Sequence, residues 1–264
     1  MFFLKEFYPK RIKVCDTEKS RKKFLSKKNK NSIFLLERRF LWMKKFLKNK
    51  TIIIELGSGN GASKHILKNN KIMLTDIQKY PWIGKKVDMM KINLGKKYKN
   101  KTDVFIINHA LHHCPNPAKT LKKISKYLKK DGLILMNEPE TSFFLRLVQY
   151  VMDDESWSFN VDIFNYKKNI FAPNSIWDSN TAVANLLFNN EKKFHSKFPE
   201  YKILKNDLSE FLVFLNSGGV VQNTFYLPLS RFFLNILVYL DKVLVYLLPN
   251  IFALNRSVVL KKIK

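Results

Sequence analysis

The chain is poor in the residues that define several large protein classes. It has two cysteines, Cys15 and Cys114, which are too few for a disulfide framework and fit a reducing compartment. Its first residues are too charged, and their apolar part too short, for a secretory signal peptide. With 46% hydrophobic and 14% aromatic residues, it also lacks the composition of a disordered chain. We therefore expect a cytoplasmic protein with one sizeable domain, with two small domains as the alternative.

Arginine and acidic residues are also scarce. Lys and Arg together number 48 against 21 Asp and Glu, giving a net charge of +27, yet only seven of the 48 are Arg. Clustered cations bind nucleic-acid phosphates, but specific recognition of phosphates and bases relies strongly on arginine. The lysines are also spread over the whole chain. The composition argues against a nucleic-acid substrate and leaves attraction to anionic membrane surfaces as an alternative.

Strand-like and helix-like segments alternate from residue 51 onward. Predicted strands occupy residues 51–56, 71–75, 87–92, 103–108, 133–137, 201–205 and 256–261. Helices are predicted at 62–69 and from Pro117 to a stop at Asp131 and Gly132. Repeated βα units predict an α/β fold with a Rossmann-like, doubly wound, seven-stranded and mostly parallel sheet.

Other segments flank or interrupt this predicted domain, which spans residues 51–264. Residues 1–50 are predicted to form a cap, with a loosely docked Lys-rich arm at 10–31 and a helix at 33–48 that Ser32 caps. Residues 138–200 form an accessory segment on the acceptor side. Residues 227–252 form an apolar insertion of transmembrane length, but three charges interrupt it. We interpret it as one or two helices, either buried or lying in a membrane interface.

The most informative segment, residues 51–61, reads TIIIELGSGNG. A β-branched run that ends in three alternate glycines predicts a strand that turns into a helix, with backbone exposed to a ligand. The glycines alone also satisfy a dinucleotide fingerprint. Glu55 favours a cationic ligand over a pyrophosphate, and Asp76, 21 positions later, could accept both ribose hydroxyls. A ligand with a ribose, a cationic amino group and no phosphate is S-adenosylmethionine.

Four motifs occur in this order along the chain: ELGSGNG (55–61), LTDI (74–77), DVFIINHALHHCPNP (103–117) and LKKDGLILMNEP (128–139). Together they resemble the class I S-adenosylmethionine-dependent methyltransferases, particularly the type-11 methyltransferase domain. The resemblance implies that Glu55 holds the methionine amino group and Asp76 the ribose hydroxyls. It places Asn93 and Leu94 beside adenine, although the family often has an acid where this chain has Asn93. The full implied cofactor set is Glu55, Gly57, Ser58, Gly59, Asp76, Ile77, Asn93, Leu94 and Asn108.

Three histidines follow the fourth predicted strand, beside the expected methyl end of the cofactor. An oxygen acceptor needs a base, and imidazole suits neutral pH, so His113, His112 and His109 are the candidates, each with packing as the alternative. Trp157, Trp177 and Asn180 are candidates for the acceptor pocket. A metal site from the histidines and Cys114 is too crowded and lacks a paired carboxylate, so no metal is predicted.

These features predict a methyltransferase that acts on a small molecule, with a lipid-linked or saccharide intermediate among the candidates. The alternatives are an RNA or protein methyltransferase and a non-catalytic module that binds S-adenosylmethionine. Contact between residues 227–252 and the inner face of a membrane stays open as a further expectation. The oligomeric state has no signature in the sequence.

Overall fold

A computed structural model describes residues 5–11, 13–220 and 223–264 of the chain. At its centre lies a seven-stranded sheet. In spatial order its strands are β4 (Lys85–Lys86), β3 (Ile72–Asp76), β2 (Ile53–Leu56), β5 (Thr102–Asn108), β6 (Leu128–Pro139), β9 (Asn255–Lys262) and β8 (Tyr201–Ser209). Neighbours from β4 to β6 run parallel, whereas β9 is antiparallel to both β6 and β8. The predicted Rossmann-like, mostly parallel sheet is confirmed.

Helices and a second, two-stranded sheet surround this centre. The small sheet pairs β1 (Glu6–Phe7) with β7 (Trp157–Ser158). The helices are α1 (Thr17–Ser26), α2 (Lys30–Leu41), α3 (Lys44–Leu47), α4 (Ala62–Leu67), α5 (Pro117–Ser125), α6 (Phe143–Met152), α7 (Val183–Phe188), α8 (Glu191–Lys197), α9 (Leu212–Leu215), α10 (Arg231–Leu247) and α11 (Pro249–Phe252). Asn116 caps α5 by accepting the Lys119 N–H at 2.9 Å, and Pro117 follows it, as expected for a helix start.

The central strands are buried on both faces. Ile54 and Phe105 face one core, which α5, α7 and α8 cover. Ile53 and Val104 face the other core, which α2, α3 and α4 cover. Because helices cover both faces, these strands are continuously apolar rather than alternating. The β-branched run that opens the glycine motif is therefore a central strand, and its carboxyl end points at the edge where ligands bind in such sheets.

The N-terminal segment is more ordered than its sequence indicates. Residues 17–26 of the predicted loose arm form α1. Helix α2 begins at Lys30, earlier than predicted, because the Asn29 side chain caps it by accepting the Ser32 N–H at 2.9 Å. Side chains of α2 and α3 pack in the same core as β2 and β3. These helices therefore help to build the domain around the sheet.

The third predicted strand and the predicted end of the helix from Pro117 both differ from the structure, each for a local reason. Strand β4 covers only two residues, and residues 87–92 instead form a turn in which Asp88 accepts the Met90 N–H at 2.7 Å. Helix α5 ends at Ser125, well before the predicted stop. A Cβ on Gly132 would lie 2.9 Å from the Lys129 carbonyl oxygen, so this glycine serves close packing within β6.

The apolar stretch at 227–252 contains the two helices α10 and α11. They lie between β8 and β9, which pair with each other in the sheet. Within the described ranges, no helix has the length and apolar character to cross a membrane.

Candidate active site

The glycine turn after β2 borders a large cavity. Gly57 and Gly59 have φ values of +66° and +48°, which residues with a Cβ adopt only with strain. A Cβ on Gly57 would lie 2.5 Å from the Ala110 Cβ, whereas one on Gly59 would meet no atom within 4 Å. Gly57 is thus needed for packing against the loop after β5. Gly59 leaves its bare backbone facing open space, as a closely approaching ligand requires.

Two carboxylates lie beside this turn. Asp76, at the end of β3, accepts the Gly59 N–H at 2.9 Å and the Gln78 N–H at 3.0 Å. Each carboxylate oxygen keeps a second lone pair, so Asp76 can still accept two hydroxyl groups. Glu55 is 2% exposed and accepts the Ser63 hydroxyl. Burial, helped by the charge of Asp76, raises the pKa of Glu55 to about 8. A carboxyl group in this setting ionises readily only when a cation approaches it.

The cavity has a volume of about 1580 Å³, well above the roughly 300–1,000 Å³ of a pocket for one small ligand. It extends from the glycine turn to the loop after β5, and then to the accessory segment at 145–179 and to α9. One continuous space can therefore hold a cofactor and an acceptor together.

Most of the candidate residues from the sequence line this one cavity. They are Glu55, Gly57, Ser58, Gly59, Asp76, Ile77, Asn108, His109, His112, His113 and Trp177. Asn108 ends β5 and accepts a hydrogen bond from Asn137 Nδ2 at 3.1 Å. The carboxyl ends of β2, β3 and β5, with the loops that follow them, thus bring together residues separated by many positions in sequence.

Four candidates lie elsewhere among the described residues. Asn93 is exposed and Leu94 is buried in the core. Trp157 is buried, with its ring stacked on Phe7 at 4.7 Å. Asn180 pairs with the backbone of Ser158, accepting its N–H at 3.0 Å and donating to its carbonyl at 2.9 Å. Their side chains are therefore committed to packing or to local hydrogen bonds.

The residues that follow β4, from Val87 to Met90, all line the cavity. Because β4 ends at Lys86, these residues and not Asn93 lie just beyond its carboxyl end. Asp88 is thus an acidic residue at this edge of the sheet, five positions before Asn93. Placing the third strand earlier in the sequence would have found it.

The N-terminal helix covers the glycine turn from outside. Arg21 donates to the Asn60 carbonyl at 2.6 Å and lies 4.5 Å from the centre of the Trp82 ring. The Trp82 indole in turn donates to the Gly59 carbonyl at 2.9 Å. Asn60 also donates to the Ser20 hydroxyl at 3.0 Å. These contacts tie α1 to the backbone that approaches the ligand.

Glu138, near the end of β6, organises the loop that carries the histidines. Its carboxylate accepts the backbone N–H groups of Ala110, Leu111 and His112 at 3.0, 2.8 and 3.2 Å. It also lies 2.6 Å from His112 Nδ1. His109 at the start of this loop has a φ of +49°, a backbone conformation that costs energy for a residue with a Cβ. Glu138 therefore fixes a strained loop and orients the His112 ring.

The three histidines differ in charge. Burial alone would lower the pKa of His112, but Glu155, 3.1 Å from Nε2, and Glu138 outweigh it and raise the pKa to about 10. Burial and the neighbouring His112 cation lower the pKa of His113 to about 4. Burial and the charge of Arg39 hold the pKa of His109 well below its usual value. His112 is thus an imidazolium at neutral pH, whereas His113 and His109 are neutral.

The tautomer of His113 follows from its partner. Its Nδ1 lies 3.0 Å from the Asp178 carbonyl oxygen, which can only accept a hydrogen bond, so Nδ1 carries the proton. The unprotonated Nε2 lies 3.6 Å from Glu155 Oε1. The His113 side chain is 24% exposed and lines the cavity. His113 therefore offers a lone pair to a ligand.

His112, His113 and Glu155 also present three ligand atoms within 4.8 Å of one another, a spacing that could hold a metal ion. The His112 ring lies between two carboxylates and supplies the positive charge that a metal would bring.

Comparison with known proteins agrees with this geometry. A family described as methyltransferase domain matches residues 19–189, well over half of the chain. The chain belongs to this methyltransferase family. The match confirms the predicted resemblance and, with it, S-adenosylmethionine as the cofactor.

Solved structures show a similar fold at low sequence identity. A SAM-dependent methyltransferase from Archaeoglobus fulgidus is 14% identical, with a TM-score of 0.50 over 90% of this chain and 98% of its own. The YcgJ protein from Bacillus subtilis is 11% identical, with a TM-score of 0.45 over 85% of this chain and 97% of its own. No curated protein matches the sequence significantly.

Proposed function

We propose that the protein transfers the methyl group of S-adenosylmethionine to a hydroxyl of a small-molecule acceptor. The observation that carries the proposal is the single cavity in which Glu55 and Asp76 line one end and His113 and Glu155 the other. S-adenosylmethionine supplies the methyl group as an electrophilic sulfonium. Much of the rate can then come from holding the two reactants in line and excluding water.

The residues around the glycine turn suit the three parts of the cofactor. We assign the ammonium group to Glu55, whose burial makes it hold a cation strongly once ionised. We assign the ribose hydroxyls to the free lone pairs of Asp76, and adenine to the side chains of Asp88 and Met89. The backbone of Gly59 borders the same space.

We assign the proton-accepting role to Nε2 of His113. When the acceptor oxygen takes the methyl group, it becomes a protonated ether, a far stronger acid than an imidazolium. A base with a pKa of about 4 is therefore strong enough to remove that proton late in the reaction. Glu155, 3.6 Å away, stabilises the resulting His113 cation. His112 is already protonated and acts by electrostatics and positioning.

The charge at the acceptor end supports a small molecule over RNA. Asp154, Glu155 and Asp178 line this end of the cavity. Carboxylates repel a phosphate backbone, which proteins bind with clustered cations. The cavity wall also includes Phe171, Ile176 and Trp177, as is typical of pockets for small ligands.

A methyl-labelling experiment tests the proposal. Cell extract and protein are incubated with S-adenosylmethionine labelled in its methyl group, and the extract is separated into small molecules, lipids, RNA and protein. We expect the label among small molecules or extractable lipids, and a His113→Ala variant that still binds the cofactor should transfer much less. Label in RNA or protein would contradict the acceptor class. Full transfer by His113→Ala would remove this histidine from the mechanism.

A further inference from the structure

Helix α10 carries apolar side chains toward solvent as well as toward the protein. Eight of them are between 39% and 86% exposed, and together they form what we call the outer α10 face: Phe232, Phe233, Ile236, Tyr239, Leu240, Val243, Tyr246 and Leu247. Their spacing of one, three and four positions places them along one side of an α-helix. This side runs for about 25 Å, the length of a 17-residue helix.

The opposite side of α10 is anchored to the domain. Leu234 and Val245 are buried, and Asp241 accepts the N–H groups of Phe211 and Leu212 at 3.0 and 2.7 Å. A buried carboxylate that caps α9 fixes the rotation of α10 about its axis. The outer α10 face is therefore held toward solvent and is not the misplaced core side of a loosely packed helix.

The apolar surface continues beyond the helix. Phe225 and Leu227, in the extended segment before α10, are 84% and 60% exposed, and Leu248 after it is 49% exposed. Monomeric soluble proteins rarely expose contiguous apolar patches of more than a few hundred Å². Eight large apolar side chains along one helix, continued by Phe225, Leu227 and Leu248, indicate a surface that binds an apolar partner.

Exposed lysines lie at the N-terminal end of this surface. Lys27, Lys28 and Lys30 are exposed, and none of them takes part in an ion pair within the described ranges. All three precede Asn31 by at most four positions, and the Asn31 side chain donates to the Leu227 carbonyl at 2.9 Å. The lysines are therefore next to the segment that leads into α10.

An exposed apolar face could be covered by a second copy of the chain or by a lipid bilayer, and the charge of the protein favours the bilayer. A second copy of the chain would bring another +27 charge close to these lysines, and like charges oppose that contact. An anionic bilayer offers apolar chains for the outer α10 face and negative headgroups for the lysines. Since no helix in the described ranges could cross a membrane, the contact is one in which α10 lies along the surface.

We propose that the outer α10 face, with Lys27, Lys28 and Lys30, docks the protein on an anionic lipid bilayer. Phe214 and Leu215 of α9, which the Asp241 contact ties to α10, line the cavity. Docking through α10 thus places this wall of the cavity one helix away from the bilayer. This position favours an acceptor attached to a lipid, a step that rests on the proposed function.

Vesicle flotation tests the docking with the full chain. Neutral vesicles of phosphatidylcholine are compared with vesicles containing about one third phosphatidylglycerol. We expect the anionic vesicles to bind at least ~10-fold more protein and added salt to weaken this binding. A triple variant, Phe232→Ser, Tyr239→Ser and Tyr246→Ser, should lose at least ~10-fold in binding, because it removes the large exposed side chains. The matched control, Val14→Ser with Ile263→Ser, changes exposed apolar residues elsewhere and should bind normally.

A second variant tests the charge part of the surface. Lys27→Glu with Lys28→Glu and Lys30→Glu should weaken binding to anionic vesicles and reduce its salt dependence. Calorimetry with S-adenosylmethionine shows that each variant is folded and separates a failure of docking from a failure of the proposed function. Absence of wild-type binding to anionic vesicles would overturn the inference. So would undiminished binding by the triple variant, or a wild-type dimer that this variant converts to a monomer.

Discussion

Binding of S-adenosylmethionine should be linked to a proton on Glu55. Burial raises the pKa of this carboxyl group from 4.5 to about 8. At pH 7 roughly nine in ten copies therefore carry the proton when no ligand is bound. In the role proposed for Glu55, the cofactor's ammonium group contacts the ionised form, so its binding must release that proton. The cost of ionisation at pH 7 is about 1.4 kcal/mol, because one pKa unit corresponds to that free energy.

This cost sets the expected pH dependence. Between pH 5 and pH 7 the affinity should rise about tenfold for each pH unit, since Glu55 loses its proton more readily while an α-amino group, with a pKa of about 7.7–8, keeps its own. Titration calorimetry in two buffers with different ionisation enthalpies should detect a net release of about 0.8 proton at pH 7, since Glu55 releases about 0.9 and the amino group takes up about 0.1.

The matched variant is Glu55→Gln, which keeps the shape of the side chain without the titrating group. It should bind the cofactor more weakly at pH 7 and show an affinity that no longer varies from pH 5 to 7. An affinity of the wild type that is flat over this range would refute the reasoning, and so would proton release that persists in Glu55→Gln.

Further predictions concern the other buried charges. Asp76→Asn should weaken cofactor binding by about 1.5–3 kcal/mol, the range for a hydrogen bond to a charged group, as calorimetry would show. Glu138→Gln should lower the free energy of unfolding by about 3–5 kcal/mol, because it leaves the His112 cation short of a partner. The control is Glu37→Gln, which removes a half-buried carboxylate from an ion pair with the exposed Arg231 and should change the free energy of unfolding by less than about 1 kcal/mol. Because the folded-state pKa of His112 is raised from 6.5 to about 10, its contribution is complete below pH 6.5 and lost as the pH rises toward 10. Denaturant titrations across this range should show the decline in the wild type and a smaller one in His112→Gln.

The sheet could be predicted because its physics is local and repetitive. Runs such as residues 51–56 and 103–108 are apolar, β-branched and followed by turn residues, and strands covered on both faces need that composition. The carboxyl ends of such strands meet at one edge, so Glu55, Asp76 and Asn108 could be placed around a common ligand from sequence alone.

The acceptor end could not be predicted, because long-range contacts decide it. Glu138 and Glu155 lie 26 and 43 positions from His112, and no pattern in the sequence shows that both carboxylates meet its ring. The aromatic and polar character of Trp157 and Asn180 suggested a pocket, but tertiary packing uses both side chains. Asn93 was expected at the cavity but lies away from it, because β4 ends at Lys86 and is only two residues long, too short for a periodicity to reveal.

The charges around His112 suit a cavity that would hold both a cationic donor and the proposed neutral base, His113. Glu138 and Glu155 enclose the His112 cation, so this group of three carries one net negative charge. That charge attracts the positively charged sulfonium of the donor. At the same time the His112 cation lowers the pKa of the adjacent His113, which keeps its Nε2 free of a proton. The same three residues therefore favour the donor's charge and keep the proposed base, His113, unprotonated.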